Sequence, residues 1–436
     1  MSQSRVPSRS MRQRLRSAPW RSLTIRGRAV LAAGMSAIAC SLLLGQSDLL
    51  RVGVLLLVLP ILCAVVLSRR HFRVSCTRTL VPHRVEAGQA ARVHLELANV
   101  STVRCSVMLV EERVPFVLGT RPRFVLPGLA PGERRGVAYS IRSEVRGRFF
   151  VGPLAVRLTD PFGLVEQARS FTTRDQLVVT PQVHRLSALP WRGDWGGRGD
   201  SRPRAVAASG EDDTAVREYR HGDDLRRVHW RSTARRGELM VRREEQPWQS
   251  RASILVDRRK VAHLGEGPAS SLEWAVTAAA SVAHHLVGLG YVVRLVDGPD
   301  QHPWSDPAAD GDGPVLDQLA VLEAGNLGCL AAGIGLARAS QRGGLLVAIV
   351  GRLDDQTTEE LARLRRQGTS CVALVLDTPT FGPGPVSASY GAEHDRAATI
   401  LRQAGWAVAG ARSGDSVPQA WERLRTDDQV LAVISR

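Results

Sequence analysis

The 436-residue chain lacks the short motifs that mark several large enzyme classes. No GxxxxGK(S/T) phosphate loop occurs, so the chain brings no P-loop ATPase of its own. GxSxG is also missing, which removes the nucleophile elbow of the α/β hydrolases. The six cysteines (Cys40, Cys63, Cys76, Cys105, Cys329 and Cys371) are scattered and form no CxxC pair. That excludes a zinc knuckle and gives no sign of a disulfide framework. Buried, reduced thiols are the expectation, in keeping with a reducing compartment. Residues 1–28 contain no acid at all, although they hold eight arginines, half of the formal net charge of +16.

Such a basic tail suits nucleic acid or an anionic membrane surface, and the apolar residues beyond it decide between the two. Residues 29–45 and 52–68 are two uncharged, apolar runs separated by the short segment 46–51. Each run is near the lower limit for a helix that spans a bilayer. Two runs so close together read as a transmembrane hairpin over 29–68 rather than as a signal peptide. Pro60 is tolerable in such a helix. Arginines precede the first run, and Arg69, Arg70 and Arg73 come directly after the second. The positive-inside rule then puts the tail and everything after the hairpin in the cytoplasm, with membrane lipid as the tail's partner and no nucleic acid.

Residues 74–182 alternate as strands do. In 91–100, Val93, Leu95 and Leu97 share one face while Arg92, His94 and Glu96 share the other. Segments 107–110 and 138–141 are further strands, with Gly and Pro punctuating between them, and the pattern predicts a small β-sandwich. Residues 190–213, rich in Gly, Arg and Ser, read as a flexible loop. From 251 to 436 the pattern becomes strand–helix alternation. Strands are expected at 252–256, 291–296, 345–350, 371–376 and 406–408, and helices at 271–289, 357–366, 394–404 and 417–425. Ala275, Ala279 and Val282 form the buried stripe of the first helix, which Gly290 stops. Short apolar strands between helices imply a parallel sheet covered on both faces. Asp257, Asp297 and Asp377 fall at strand carboxyl ends, where ligands of such sheets bind.

The densest charge lies in 214–245. Residues 217–243 hold nine arginines, four acids and one tryptophan. Gly222, Asp223 and Asp224 read as a turn feeding a helix N-cap. Leu225, Val228 and either Trp230 or Ser232 recur at helical spacing, and Gly237 ends the unit before a short strand at 239–241. One reading is structural: Trp230 packs in a core, and the arginines pair with Glu218, Asp223, Asp224 and Glu238. The other is a docking surface, because arginines outnumber acids and the guanidinium fork binds carboxylate or phosphate at two points. Arg217, Glu218, Tyr219, Gly222, Asp223, Asp224, Arg226, Trp230 and Arg235 are its candidate residues. An enzyme reading remains as the alternative: His221, Asp223, Asp224 and His229 bring imidazole and carboxylate together, enough for a hydrolase or transferase acting on cell-envelope precursors. These residues share no fixed helical face. The adjacent His284 and His285 point to different sides of a helix.

Three features together resemble the bacterial family called domain of unknown function 58. They are RGRFFVGPLAVRLTDPFGL from Arg146, VREYRHGDDLRRVHWRSTARRGELMVRREE from Val216, and the order hairpin, β domain, α/β domain. The resemblance implies a von Willebrand factor A-like α/β domain with a Rossmann-type parallel sheet. It also implies a non-enzymatic adaptor or scaffold in the bacterial inner membrane, partnered by a MoxR-type AAA+ ATPase and a transglutaminase-like membrane protein. Related A domains bind Mg²⁺ where the first strand ends Asp-x-Ser-x-Ser. Here Asp257 precedes Arg258, Arg259, Lys260 and Val261, so both serines are replaced. Mg²⁺ requires oxygen ligands, and the expectation is a degenerate site with no metal and no other cofactor.

Overall fold

The computed structural model describes residues 23–69, 73–188, 216–218, 230–242, 250–299, 302–326, 328–340, 344–365, 369–383 and 388–426. The chain divides into two units, Met1–Thr180 and Pro181–Arg436. Most of the basic tail and the whole of 190–213 lie outside the described residues.

The first unit opens with helices α1 (Ile25–Leu44) and α2 (Ser47–Arg69). Both are long and apolar enough to cross a bilayer. Thr24 caps α1, its hydroxyl accepting from Gly27 N, and Gly45 ends the helix with φ +66°. The connection is tighter than the expected 46–51 segment, because α2 already begins at Ser47. The helices touch through small residues: a Cβ on Gly34 would lie about 3 Å from the Leu57 amide and the Gly53 carbonyl. Close approach at glycine is how apolar helices associate without a hydrophobic driving force. Cys40 is exposed on α1, against the expectation of buried thiols, because it stands on the outer face of the helix pair; all six cysteines are free.

Next come strands β1 (Val74–Val81), β2 (Arg84–Glu86), β3 (Ala90–Asn99), β4 (Met108–Glu112), β5 (Arg123–Leu126), β6 (Arg134–Arg142), β7 (Gly147–Val151), β8 (Leu154–Thr159), β9 (Glu166–Phe171) and β10 (Asp175–Thr180). They form three sheets, β1-β3-β6, β2-β10-β7 and β5-β4-β8-β9, antiparallel except for the β2–β10 pair. The period-two pattern holds in β3, where Ala91, Val93, Leu95 and Leu97 are buried and Arg92, His94 and Glu96 are not. One apolar core serves all three sheets. A buried guanidinium also links them. Arg78 of β1 donates through Nε to Glu112 of β4 (2.6 Å) and through Nη1 to Asp175 of β10 (2.9 Å). The Tyr139 hydroxyl of β6 donates to the other Glu112 oxygen. Both side chains are almost wholly removed from water, Arg78 4% and Glu112 0% exposed.

In the second unit, β11 (Val216–Glu218) pairs antiparallel with β12 (Met240–Arg242), and α3 (Trp230–Arg236) lies between them in sequence. The remainder is β13 (Arg251–Val256), α4 (Ser271–Gly288), β14 (Val292–Val296), α5 (Gly313–Ala320), α6 (Gly328–Ser340), β15 (Gly344–Val350), α7 (Asp355–Ala362), β16 (Thr369–Leu376), α8 (Ala388–Gln403), β17 (Ala407–Ala411) and α9 (Val417–Thr426). The five strands form a wholly parallel sheet in the order β14-β13-β15-β16-β17. Separate apolar clusters cover its two faces, as unbroken apolar strands require. Ala275, Ala279 and Val282 line the buried stripe of α4, and Gly290 stands just beyond it with φ +85°. Helices α5 and α6 carry no expectation from sequence. The first is short, and the second contains Gly333 and Gly335, which lower helix propensity. Gly333 is there for packing, since a Cβ would come within 3.0 Å of Leu255.

Removing one member of a buried pair strands the other charge and costs about 3–5 kcal/mol, whereas an apolar pair of similar volume is often tolerated. Arg78→Leu is therefore expected to destabilise the first unit by about that amount in urea unfolding of the full chain. Arg78→Leu combined with Glu112→Leu should recover much of the loss.

Candidate functional site

Two places are candidates: the carboxyl edge of the parallel sheet, and the arginine-rich signature segment. In an open α/β sheet the ligand crevice lies where the strand order reverses, which here is between β13 and β15. Asp257 sits at the end of β13, fully buried. Its partner is Arg259, two residues on. Arg259 donates through Nε to Oδ1 (3.0 Å) and through Nη2 to Oδ2 (2.9 Å) of Asp257. The same Nη2 donates to the carbonyl of Arg352, beyond β15 (2.9 Å). The guanidinium thus fills the crevice and ties its two walls together. The short turn Lys260–Ala262 completes the closure: Arg352 N donates to Ala262 O (3.0 Å), and a Cβ on Gly351 would lie 2.2 Å from that oxygen.

The other strand-end carboxylates are also held by cations. Arg258 Nε donates to the Asp297 carbonyl (2.7 Å), and its guanidinium lies 3.7 Å from the Asp297 carboxylate. His302 Nε2 donates to Asp297 Oδ1 (2.7 Å). Burial alone would raise the Asp297 carboxyl. The His302 hydrogen bond and the charges of His302 and Arg258 outweigh it and hold the group below its ordinary range. Arg412 Nε donates to Asp377 Oδ2 (3.2 Å), while the buried Oδ1 finds no partner among the described residues. A cavity of about 20 Å³ near the ends of β15 and β16, bordered by Leu353, Thr378 and His394, has room for a water and not for a substrate. No cluster of three or more His, Cys, Asp or Glu suited to a metal occurs among the described residues. Among these contacts, the residue order showed Arg258, Arg259 and Lys260 only as cations after Asp257, with both serines of the metal site replaced. It did not show that one of them folds back as the carboxylate's own counter-ion.

His263 braces this edge. Its Nε2 donates to the Asp257 carbonyl (2.6 Å), which can only accept, so Nδ1 accepts from the Ser271 hydroxyl (3.0 Å). Ser271 Oγ in turn accepts from Leu264 N (3.0 Å) at the start of α4. That network suits a neutral ring, and burial pushes the imidazole below its ordinary range. His284 and His285 diverge as expected. The first meets Asp312 (2.7 Å) at the surface; the second lies edge-on to the buried Trp421, its ring also lowered by burial. Burial raises the Cys371 thiol to about 12 and the Cys76 thiol to about 11, so neither is a thiolate nucleophile at neutral pH.

Within the signature, Tyr219, His221, Gly222, Asp223, Asp224, Arg226 and His229 lie outside the described residues. The backbone of Arg217 and Glu218 pairs with Val241 and Met240. Gly237, with φ +79°, turns the chain from α3 into β12, as anticipated, and Thr233 Oγ1 accepts from Met240 N (3.0 Å). The core reading of Trp230 is corrected: the residue is 70% exposed. Helix α3 is seven residues long, and its inward side is taken by Thr233 over the buried Met240, leaving Trp230 and Ala234 facing out. Arg235 and Arg236 are exposed in its last turn and make no ion pair among the described residues.

Residues 215–380 match the family described as protein of unknown function DUF58. The uncharacterized protein YeaD of Bacillus subtilis strain 168 is 28% identical over 160 residues, 35% of this chain and 37% of that protein. The chain thus spans little more than a third of the curated relative that it matches. Among solved structures, the CARDB domain of the PF1109 protein from Pyrococcus furiosus is 12% identical at TM-score 0.20, covering 26% of this chain and 96% of its own. The putative ApaA protein from Bordetella pertussis is 14% identical at TM-score 0.20, covering 25% and 93%. Likenesses at that level carry no argument about function.

The histidines make the second unit sensitive to acid. A ring whose folded pKa is lowered takes up its proton first in the unfolded chain, so the stability it lends is present above about pH 6.5 and is lost as pH falls. The urea midpoint of the full chain is expected to drop between pH 7 and pH 5, and His263→Gln to shrink that drop. Arg259→Ala, which leaves Asp257 buried without its counter-ion, should cost about 3–5 kcal/mol in the same measurement at neutral pH.

Proposed function

The chain belongs to the DUF58 family through residues 215–380, and we propose that it is a non-enzymatic adaptor of the bacterial inner membrane. Helices α1 and α2 span the bilayer as a hairpin, and the arginines beside Ile25 and Arg69 keep both soluble units in the cytoplasm. The second unit acts as a von Willebrand factor A-like domain that works through contact instead of a bound metal. Its partner is a MoxR-type AAA+ ATPase, which supplies the ATP chemistry this chain lacks, and a transglutaminase-like membrane protein joins the same assembly.

One observation carries this reading: Trp230 stands 70% exposed on a helix that also presents Arg235 and Arg236. Tryptophan and arginine dominate the energetics of protein interfaces, and an exposed pair within one helix has no fold to maintain. Support also comes from the sheet edge, where Arg259 occupies the crevice that a small ligand would need.

The test is affinity purification of the full chain from native membranes with nucleotide trapped, and mass spectrometry of the eluate. An AAA+ ATPase is expected with the wild type. Trp230→Ala together with Arg235→Glu should reduce its recovery at least tenfold, while the urea midpoint stays within about 0.5 kcal/mol of wild type, as for other surface changes. Equal recovery from both chains would remove α3 as the docking element.

A further inference from the structure

The turn Asp160-Pro161-Phe162-Gly163-Leu164, between β8 and β9, is built rigidly. The Asp160 carboxylate accepts from Phe162 N (3.1 Å) and Val165 N (2.7 Å), and its backbone closes the loop through Val165 O and Gly163 N. Gly163 has φ +69°, a conformation that favours glycine.

The turn is clamped to the start of α1. Thr24 Oγ1 donates to Gly163 O (2.7 Å), and Thr24 N donates to Leu164 O (3.0 Å). Leu23 and Val165 form an antiparallel bridge. Gly27 permits the approach, since a Cβ there would lie 2.2 Å from Leu164 O. Leu164 and Val165 then share a core with Val30 of α1 and with Leu59, Cys63 and Ala64 of α2. All four helix residues lie inside the uncharged runs. The turn is therefore docked at a level of the hairpin that is already apolar.

Yet its largest side chain packs against little. Phe162 is 61% exposed and Ile25, at the first position of α1, is 86% exposed. Arg26 reaches over the same turn, its Nη1 being 3.9 Å from where a Gly163 Cβ would stand. A rigid turn that holds a phenylalanine outward, beside an exposed isoleucine and a guanidinium, has the chemistry of a bilayer interface. There apolar groups enter the acyl boundary, and arginine extends to the headgroups.

We propose that the 160–164 turn is an interfacial anchor, with Phe162 and Ile25 seated in the phospholipid and Arg26 facing a headgroup phosphate. The occupant is the bilayer itself, continuous with the surface of α1 and α2. This rests on reading those helices as membrane spans. The anchor adds a contact with lipid to the clamp on α1 and to the covalent link from α2 into β1.

The experiment uses the full chain with 4-fluorophenylalanine at position 162 alone, in vesicles of phosphatidylethanolamine and phosphatidylglycerol. Nitroxide-labelled lipid is expected to broaden the fluorine resonance severalfold, and a gadolinium chelate in the water to leave it nearly unchanged. The reverse result would overturn the anchor, including the case in which Phe162 waits in water for a protein partner. An alkaline carbonate wash separates the two readings. A chain that stays in the pellet while its fluorine responds to gadolinium loses only the anchor. If the wash releases the chain, the membrane hairpin fails and the anchor fails with it.

Discussion

The buried ion pair of Asp257 and Arg259 decides what the second unit can be. A carboxylate with no exposure at the end of a central strand must be neutralised, because isolated charge is too costly in the interior. Here the chain neutralises it internally, with a guanidinium that grips both carboxylate oxygens and the opposite wall of the crevice. The guanidinium at that position becomes a strut between the two walls of the crevice.

The same constraint organises the first unit. Arg78 holds Glu112 and Asp175 while Tyr139 satisfies the remaining Glu112 oxygen, so one polar knot joins strands of three sheets. Buried charge of this kind contributes geometry more than net stability. It fixes how the sheets meet, and so fixes where β8 and β9 deliver the turn that meets α1. The hairpin and the β domain are thereby one body: Leu164 and Val165 lie in the core that also takes in Val30 and Leu59.

Much of the architecture was legible from residue order. The alternation in β3, the apolar runs that became β13, β15 and β16, the stripe of α4 and the stop at Gly290 all come from local period and propensity. The hidden parts had physical reasons to be hidden. Helix α6 carries Gly333, which its close packing on Leu255 explains. Trp230 reads as core by its chemistry, but the direction of a side chain on a short helix depends on what lies beneath, and Met240 and Thr233 already fill that place. Of the candidate docking residues, Trp230 and Arg235 are exposed together on α3, a pairing visible only once the helix is in place.

The sequence by itself determined most of the elements and their order, the apolar hairpin, and the carboxylates at the strand ends, because each depends on neighbours a few residues apart; helices α5 and α6 were exceptions. Tertiary structure decided which charges far apart in sequence meet, as Arg78 meets Glu112 and Asp175. Arg259, two residues from Asp257, also reaches the Arg352 carbonyl because the β13–β15 pairing brings that wall opposite. The turn at 160–164 gains a partner 139 residues away in Thr24. Contacts over such separations depend on folding the whole unit, and no local pattern of residues encodes them.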